Sequence, residues 1–308
     1  MEVTVDRAGM LTTVQDAGRP GQRAMGLPSG GAADAFALRV ANLLVGNPEN
    51  AAVLECTLTG PDLVFSGDVI MAVGGAAFEA LPSWRPVRVP AGERVSLGPC
   101  RSGCRGYVAV AGGIEIPPVL GSRSTYLPAK MGGWEGRALR DGDTLPLGAG
   151  ARSGAIEHWH IDPSLLPAYS ASPVLRVIRG AQAGQFDPAW SAMEFKVTPR
   201  FDRMGLRLAG PKLERNGDGE LHSAAVAPGT IQVPPDGQPI ILLANAQTIG
   251  GYPRLAHVIG VDQPLVAQLQ TGGTVRFREV TLAEAHRLWL ARERELGILR
   301  EGLAQKFK

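Results

Sequence analysis

The chain has 308 residues, of which forty are Gly and 24 are Pro, so about a fifth of it consists of residues that interrupt regular structure. Hydrophobic residues make up 44% and the formal net charge is +2, which excludes a disordered chain. The near balance of 31 basic and 29 acidic residues gives no sign of nucleic-acid binding. Gly and Pro at this density also exclude a helical bundle, because they would break its helices.

Three further features of the sequence indicate the cellular compartment of the protein. No run of 18 apolar residues predicts a transmembrane helix, and the N-terminus lacks the basic and apolar regions of a signal peptide. The three cysteines, Cys56, Cys100 and Cys104, fit a reducing compartment better than a disulfide framework. We therefore expect a cytoplasmic protein that does not interact with membranes.

The predicted first lobe spans residues 1–150. It opens with a short strand at 3–5, followed by a loop at 12–21. A helix is predicted from about Ala33 to Val45, with Ser29 or Asp34 as its N-cap. Gly46 is expected to end it. Short strands separated by turn dipeptides follow at 53–59, 63–65, 69–73, 87–89, 94–97 and 107–111. This spacing is typical of a sandwich or a barrel.

A connector without clean periodicity is predicted at 151–172, and a second lobe at 173–280. Strands are expected there at 174–178, 195–198, 205–208, 230–233, 240–243, 257–261 and 274–277. We hypothesise that the two lobes are similarly built barrels. The tail, 281–308, is predicted to be a helix that begins with a capping box formed by Thr281 and Glu284. Its apolar stripe is expected to pack onto the second lobe, with docking to a partner as the alternative.

Several kinds of site are not supported by the motifs. Cys100 and Cys104 lack a second cysteine pair, and His158 and His160 lack a third ligand, so no metal site is predicted. No G-x-S-x-G motif indicates an α/β-hydrolase. The Gly-rich segment at 26–31 lacks the lysine of a phosphate-binding loop, so ATP binding by this chain alone is not expected.

The more informative features are polar loops rich in Gly and Pro. In the loop at 15–21, Asp16 and Arg19 either pair and brace the loop, or Arg19 offers its planar guanidinium to a carboxylate or carbonyl ligand. The loop at 121–126 carries three hydroxyls, Arg123 and Tyr126, and is either a self-satisfied turn or an anion-binding loop. The segment at 245–253 follows an apolar strand and is either a hairpin turn or a loop that approaches a ligand closely. Arg203 belongs to a fourth such motif.

These stretches together resemble one known family, the C-type subunits of bacterial 5-oxoprolinase. This family is also described as biotin-dependent carboxyltransferase or allophanate hydrolase subunit 2, and it includes KipA-like proteins. The resemblance is carried, in order along residues 4 to 280, by LTTVQD at 11–16, GRPG at 18–21, SG at 29–30, ANLLVGN at 41–47, LE at 54–55, GG at 112–113, GSRSTY at 121–126, RMG at 203–205, IQVP at 231–234 and QTIGGYP at 247–253.

The resemblance implies a mainly β fold, with two cyclophilin-like β-barrel lobes, few helices and a C-terminal helix. It also implies a hetero-oligomer with a sister B-type (KipI-like) subunit and an A-type subunit. The implied function is ATP-dependent opening of a lactam, 5-oxoproline to glutamate. The alternatives are transfer of carboxyl from carboxybiotin to urea or a similar amide, and KipA-like regulatory binding without catalysis. No cofactor is expected on this chain itself, since ATP or carboxybiotin would come through partner subunits.

The polar loops and the resemblance together predict a site for a small amide substrate. The predicted catalytic residues are Asp16, Arg123 and Gln247. The predicted substrate-binding residues are Gln15, Arg19, Ser29, Ser124, Tyr126, Arg203, Gln232, Thr248, Gly250, Gly251 and Tyr252.

The chain departs from the family pattern at two places. Where many members have Asp-Arg before Gln-Thr-Thr-Gly-Gly-Tyr, this chain has Asn245 and Ala246. Where members often read Ser-Glu-Gly, it has Ser223, Ala224 and Ala225. If those charges position or protonate the substrate, this chain either uses a different substrate or is impaired. Loss of both members of a charge pair is easier to tolerate than loss of one, which indicates coordinated change rather than decay.

Overall fold

A computed structural model describes residues 1–150, 160–217 and 219–307. The first part of the predicted connector, with His158, lies outside these residues. Contacts divide the chain into two compact units. The first contains Met1–Arg19, Gly30–Leu166 and the chain from Arg294 onwards, and the second contains Pro20–Ser29 and Pro167–Glu293. The boundary between the units at 166 and 167 falls within the predicted connector. Residues 20–29 belong to the second unit, whereas the predicted boundaries place them in the first lobe.

The first unit is built from two antiparallel sheets, helix α1 and the later part of the C-terminal helix. Its four-stranded sheet has the order β7-β4-β1-β9 and its five-stranded sheet the order β2-β3-β8-β5-β6. The elements are β1 (Glu2–Arg7), β2 (Leu11–Gln15), α1 (Ala35–Leu44), β3 (Val53–Thr57), β4 (Asp62–Phe65), β5 (Val69–Phe78), β6 (Pro86–Val89), β7 (Arg94–Ser96), β8 (Cys100–Val110) and β9 (Thr144–Pro146). Apolar side chains of both sheets, such as Phe65 and Met71, share one core.

The second unit contains a closed barrel of seven strands, in the order β10-β17-β14-β15-β12-β11-β18. Its elements are β10 (Val174–Arg179), β11 (Phe195–Phe201), β12 (Gly205–Ala209), β13 (Ala224–Ala225), β14 (Thr230–Gln232), β15 (Ile240–Leu242), β16 (Ile249–Gly250), β17 (Arg254–Val258), α2 (Gln263–Ala267) and β18 (Thr274–Glu279). Because seven strands cannot all be antiparallel to both neighbours in a closed ring, one neighbouring pair must be parallel. That pair is β10 and β18. Strands β13 and β16 form a small separate sheet.

The mainly β fold, with a barrel and a C-terminal helix, is confirmed. The first unit differs from the expected barrel because its strands form two sheets with a shared core, whereas hydrogen bonding closes the ring in the second unit. Helix α1 begins as predicted at Asp34, whose carboxylate accepts a hydrogen bond from the backbone nitrogen of Ala37 at 2.9 Å. Among the described residues, no helix has the length and apolar character needed to cross a membrane.

The predicted loop at 12–21 is wrong over its first part, because Leu11–Gln15 forms strand β2 and pairs with β3. The sequence did not indicate a buried strand here, because Thr12, Thr13 and Gln15 are polar. In the structure all three are buried. Each of the three forms a side-chain hydrogen bond inside the fold: the hydroxyl of Thr12 donates to the carbonyl of Ala8, and Gln15 Nε2 donates to Thr13 Oγ1. The strand therefore lacks the apolar alternation that sequence reasoning requires.

The C-terminal helix α3 spans Leu282–Ala304. Its predicted capping bond is present, since the backbone nitrogen of Glu284 donates to the Thr281 hydroxyl at 3.1 Å. The expected packing on the second lobe is wrong for its later part. Leu296 and Leu303 are buried in a cluster around α1 in the first unit, where their apolar side chains are removed from water.

Candidate functional site

The carboxylate of Asp16 joins the first two polar loops. Its Oδ1 accepts hydrogen bonds from the backbone nitrogen of Gly18 at 2.8 Å and from the hydroxyl of Ser122 at 2.6 Å. The Ser124 hydroxyl also donates to Oδ1, at 2.5 Å, and the backbone nitrogen of Arg123 donates to Oδ2 at 2.5 Å. Asp16 is buried, and protein donors occupy both of its oxygens. These contacts support a positioning role, and the predicted catalytic role stays a prediction.

Arg19 lies deep in the protein, with an exposed fraction of 1%. Its Nη2 donates to the backbone carbonyl of Ser124. Its Nε and Nη1 have no hydrogen-bond partner among the described residues. Burial lowers the pKa of Arg19, and the nearby negative charge of Asp16 acts in the opposite direction. Since no ion pair joins Arg19 to Asp16 within the described residues, the guanidinium retains capacity for an oxyanion.

The other predicted residues of the first unit are largely engaged. The guanidinium of Arg123 donates to the backbone carbonyl of Ile116 at 2.6 Å and to Glu115 Oε1 at 2.5 Å. Its positive charge is therefore compensated by a neighbouring carboxylate, and it is not the open ligand charge that the sequence predicts. Gln15 Nε2 donates to Thr13 and to the carbonyl of Thr125, while its buried Oε1 has no partner among the described residues. Tyr126 is half-buried.

In the second unit, two predicted glutamines meet at one end of strand β14. Gln247 Nε2 donates to Gln232 Oε1 at 3.1 Å, and Gln232 Nε2 lies 3.5 Å from the backbone carbonyl of Tyr252. Gln232 is buried, and Gln247 is partly exposed. Gly250 permits this approach, because a Cβ at that position would lie 2.7 Å from Gln232 Nε2. Among the described residues, the Oε1 and one N–H of the Gln247 amide have no partner, so both are available to a ligand.

Both glutamines and Tyr252 line a cavity of about 380 Å³. Sequence reasoning missed three charged residues of this cavity, Arg200, Asp202 and Arg207. Asp202 accepts hydrogen bonds from the backbone nitrogens of Met204 and Gly205, at 2.7 and 3.0 Å. Asp202 could have been found from the sequence, because it directly precedes the Arg-Met-Gly motif. The cavity thus combines amides, a phenol and charges of both signs.

The remaining predicted residues of the second unit are dispersed. Thr248 faces a different cavity, and Gly251 lines a third one together with Tyr252. Arg203 is buried, and its backbone carbonyl accepts a hydrogen bond from the Asn245 nitrogen at 2.8 Å. Ser29 is half-buried and belongs to the segment 20–29. The predicted site residues therefore form two groups, one in each unit, and their union into one site stays a prediction.

The two departures from the family pattern fall next to the glutamines. Asn245 is 2% exposed, and its Oδ1 has no hydrogen-bond partner among the described residues. Ala246 is fully buried in an apolar cluster with Val226 and Leu242. Ala224 pairs with Gly250 between strands β13 and β16. Position 246 therefore has an apolar environment in this chain, which suits a methyl group and not a guanidinium.

Comparison with known proteins decides the family. A family model described as "Carboxyltransferase domain, subdomain A and B" matches residues 25–279. The chain belongs to this family. It is 43% identical to the C-type subunit of Escherichia coli 5-oxoprolinase over 290 residues, which cover 91% of each chain. It is 38% identical to the corresponding 5-oxoprolinase subunit of Haemophilus influenzae over 289 residues, which cover 90% of each.

Larger proteins contain the same fold as one part. The structure of Kluyveromyces lactis urea carboxylase matches with a TM-score of 0.90 and 30% identity, covering 98% of this chain and 29% of that one. The urea amidolyase of Saccharomyces cerevisiae is 33% identical over 305 residues, covering 90% of this chain and 16% of that protein. The chain thus spans less than a third of the length of these two relatives. The predicted family is confirmed.

Proposed function

We propose that this carboxyltransferase-family chain is a subunit of a 5-oxoprolinase-type complex, in which it acts with B-type and A-type partner subunits on 5-oxoproline. The observation that carries the proposal is the match to the C-type subunit of E. coli 5-oxoprolinase over 91% of both chains. This relative is a chain of similar length, whereas the urea-processing relatives are several times longer. ATP would be bound by partner subunits.

Gln247 is the residue that we propose for recognition of the lactam. The ring of 5-oxoproline holds its N–H and C=O on the same side, in a cis amide. A primary amide with one free N–H and a free oxygen can pair with both groups at once. Gln232 fixes the orientation of Gln247 by accepting its other N–H at 3.1 Å. The hydrogen bond between buried Gln232 and partly exposed Gln247 thus supports a positioning role for Gln232 and a substrate-binding role for Gln247.

Arg19 is the residue of the first unit that we propose for charge recognition. Its buried Nε and Nη1 lack partners among the described residues, and guanidinium groups form strong paired hydrogen bonds with carboxylates. Arg123 is less suited to this role, because Glu115 and the Ile116 carbonyl already occupy its guanidinium.

The experiment uses the complete complex. The chain is co-purified with its sister and A-type subunits, and 5-oxoproline-dependent ATP hydrolysis and glutamate formation are measured. We expect Gln247→Ala to lower kcat/KM about 30-fold, because about 2 kcal/mol of paired hydrogen bonding is lost. Gln238→Ala is the matched control, since within the described part of the chain that side-chain amide binds only the backbone of Gly210. Absence of turnover in the intact wild-type complex contradicts the oxoprolinase function. Full activity of the Gln247 variant contradicts only the site.

A second function, transfer of carboxyl from carboxybiotin to urea or a similar amide, is favoured by the family model and by the TM-score of 0.90 to urea carboxylase. Biotin would then arrive on another chain, because none of the five lysines lies between two methionines. Incorporation of labelled bicarbonate into urea, with biotin carboxylase and carrier present, tests this function. An intact complex without either activity supports the KipA-like regulatory alternative.

A further inference from the structure

The second unit contains a cavity of about 690 Å³ that neither glutamine lines. Its basic lining residues are Arg23, Arg254 and His257, and none of the described residues that line it is acidic. Most of the remaining wall consists of Ala, Gly, Val and Ile, with Thr230 and Thr248 as the hydroxyl-bearing exceptions. The volume lies within the range of small-molecule sites in proteins. Positive charge and a small-residue apolar wall thus occur in one cavity.

Arg23 reaches this cavity on the segment 20–29, which belongs to the second unit although its chain neighbours on both sides belong to the first. Its Nη2 donates to the backbone carbonyl of Val226, which fixes the guanidinium at the cavity wall. Its Nη1 is buried without a hydrogen-bond partner among the described residues. No described carboxylate forms an ion pair with Arg23. A buried donor without a partner is costly, and an anionic ligand would satisfy it.

Arg254 supplies the second positive charge, from the start of strand β17. Its Nε lies 3.3 Å from Gln182 Oε1, and its Nη1 lies 3.5 Å from the carbonyl of Ala225. Both partners are neutral and hold the guanidinium in place without compensating its charge. Among the described residues, Arg254 also has no acidic partner. This contrasts with Arg276 on strand β18, whose Nη2 lies 2.8 Å from Glu194 Oε2.

His257 adds a neutral polar group. Burial lowers the pKa of its imidazole, so the ring is neutral at pH 7. Its Nδ1 lies 3.2 Å from the hydroxyl of Thr230, which itself accepts a hydrogen bond from the backbone nitrogen of Ala227. Either atom can be the donor in the contact between the hydroxyl and Nδ1, and in both cases the neutral ring presents Nε2 as a second hydrogen-bonding atom. His257 thus contributes a polar group without a third positive charge.

The geometry points to a binding site for a small monocarboxylate with a compact apolar body, held by its charged group between Arg23 and Arg254. A carboxylate fits the planar forks of the two guanidinium groups. The alanine- and glycine-rich wall provides apolar contact for the rest of the ligand. This site is separate from the Gln232–Gln247 pair and does not depend on the proposed function.

Sodium butyrate is a suitable probe, with 1-butanol as its neutral analogue and inorganic phosphate as a second anion. Binding to the full chain is measured by two-dimensional ¹H–¹⁵N NMR, with resonances of Ala227, Thr230 and His257 as reporters. We expect butyrate to shift these resonances and to bind about tenfold more tightly than 1-butanol, because charge-assisted hydrogen bonds are the stronger ones. Equal binding of 1-butanol, or tighter binding of phosphate, overturns the carboxylate assignment.

The variants Arg23→Met and Arg254→Met are each expected to weaken butyrate binding about tenfold, since each removes one charge-assisted contact. Arg254→Lys keeps the charge, loses the planar fork and is expected to give an intermediate loss. Arg276→Met is the control, because it removes an arginine that pairs with Glu194 on the surface, and it should leave binding unchanged. The thermal midpoint of every variant reports its folding. Unchanged butyrate binding in the folded Arg23→Met and Arg254→Met variants overturns the site.

Discussion

The two units contain polar loops of similar composition, but the loops differ in how much hydrogen-bonding capacity remains open. In the first unit, Asp16 receives donors at both of its oxygens, and Arg123 is compensated by Glu115. In the second unit, and among the described residues, the Oε1 and one N–H of Gln247 have no partner. Arg23 and Arg254 have no acidic partner there either. Residue type and loop position are therefore poor guides to function, and the number of unused donors and acceptors is a better one.

The largest expected effect is on stability in the first unit. Asp16→Ala would leave the donors of Gly18, Arg123, Ser122 and Ser124 without their shared acceptor, and we expect a loss of about 3–5 kcal/mol in the free energy of unfolding. Asp68→Ala is the control, because its carboxylate accepts one exposed backbone hydrogen bond from Ala91 and should cost less than about 1 kcal/mol. Urea denaturation measures both. A loss below about 1 kcal/mol for Asp16→Ala would remove the contrast between the two units.

The next effect concerns the second unit. Ala246→Arg places a charge in the apolar cluster with Val226 and Leu242, and we expect it to cost about 3 kcal/mol. Addition of Asn245→Asp should recover at least about 1 kcal/mol, because the two charges would compensate each other. Ala225→Arg, at an exposed position two residues after Ser223, should cost less than about 0.5 kcal/mol. Additive costs in the double variant would argue against a coordinated replacement of the charge pair.

Arg19 is the exception in the first unit, and Arg19→Met sharpens the comparison. A buried guanidinium with two open nitrogens gains little from the fold, so an apolar side chain of similar size should change the free energy of unfolding by less than about 1 kcal/mol. The turnover of 5-oxoproline by the complete complex should instead fall about tenfold or more, because the variant loses the charge-assisted hydrogen bonds that we propose for Arg19. A marked loss of stability with unchanged turnover would place Arg19 among the bracing residues.

The smallest expected effect is a pH dependence in the second unit. Burial lowers the pKa of His257 in the folded state, so the folded protein binds the proton less readily than the unfolded chain. Stability should therefore be full above the unfolded value of about 6.5 and decrease as the pH falls below it. His257→Gln should flatten this part of the stability profile. His286→Gln, at an exposed position of helix α3, should not.

The sequence predicted elements best where the chain carries its own local signals. The Asp34 cap of α1 and the Thr281 cap of α3 depend on residues three positions apart, and both capping hydrogen bonds are present. Strand β2 was missed because three of its four buried residues are polar and find partners only after folding, as Gln15 does with Thr125. The packing of Leu296 against the first unit was missed because an apolar stripe does not specify which core it joins.

The family, the mainly β class and the arginine- and amide-bearing loops were determined by the sequence alone, since motifs, turn residues and caps are local. Only the tertiary structure decided which of these residues are engaged. It brought Glu115 to Arg123, placed Gln247 on Gln232 and brought Arg23 to the same cavity as Arg254. The physical reason is that the partner of a polar group is set by contacts between residues far apart in the chain. Asp16 and Ser122, which are 106 positions apart, are one such pair.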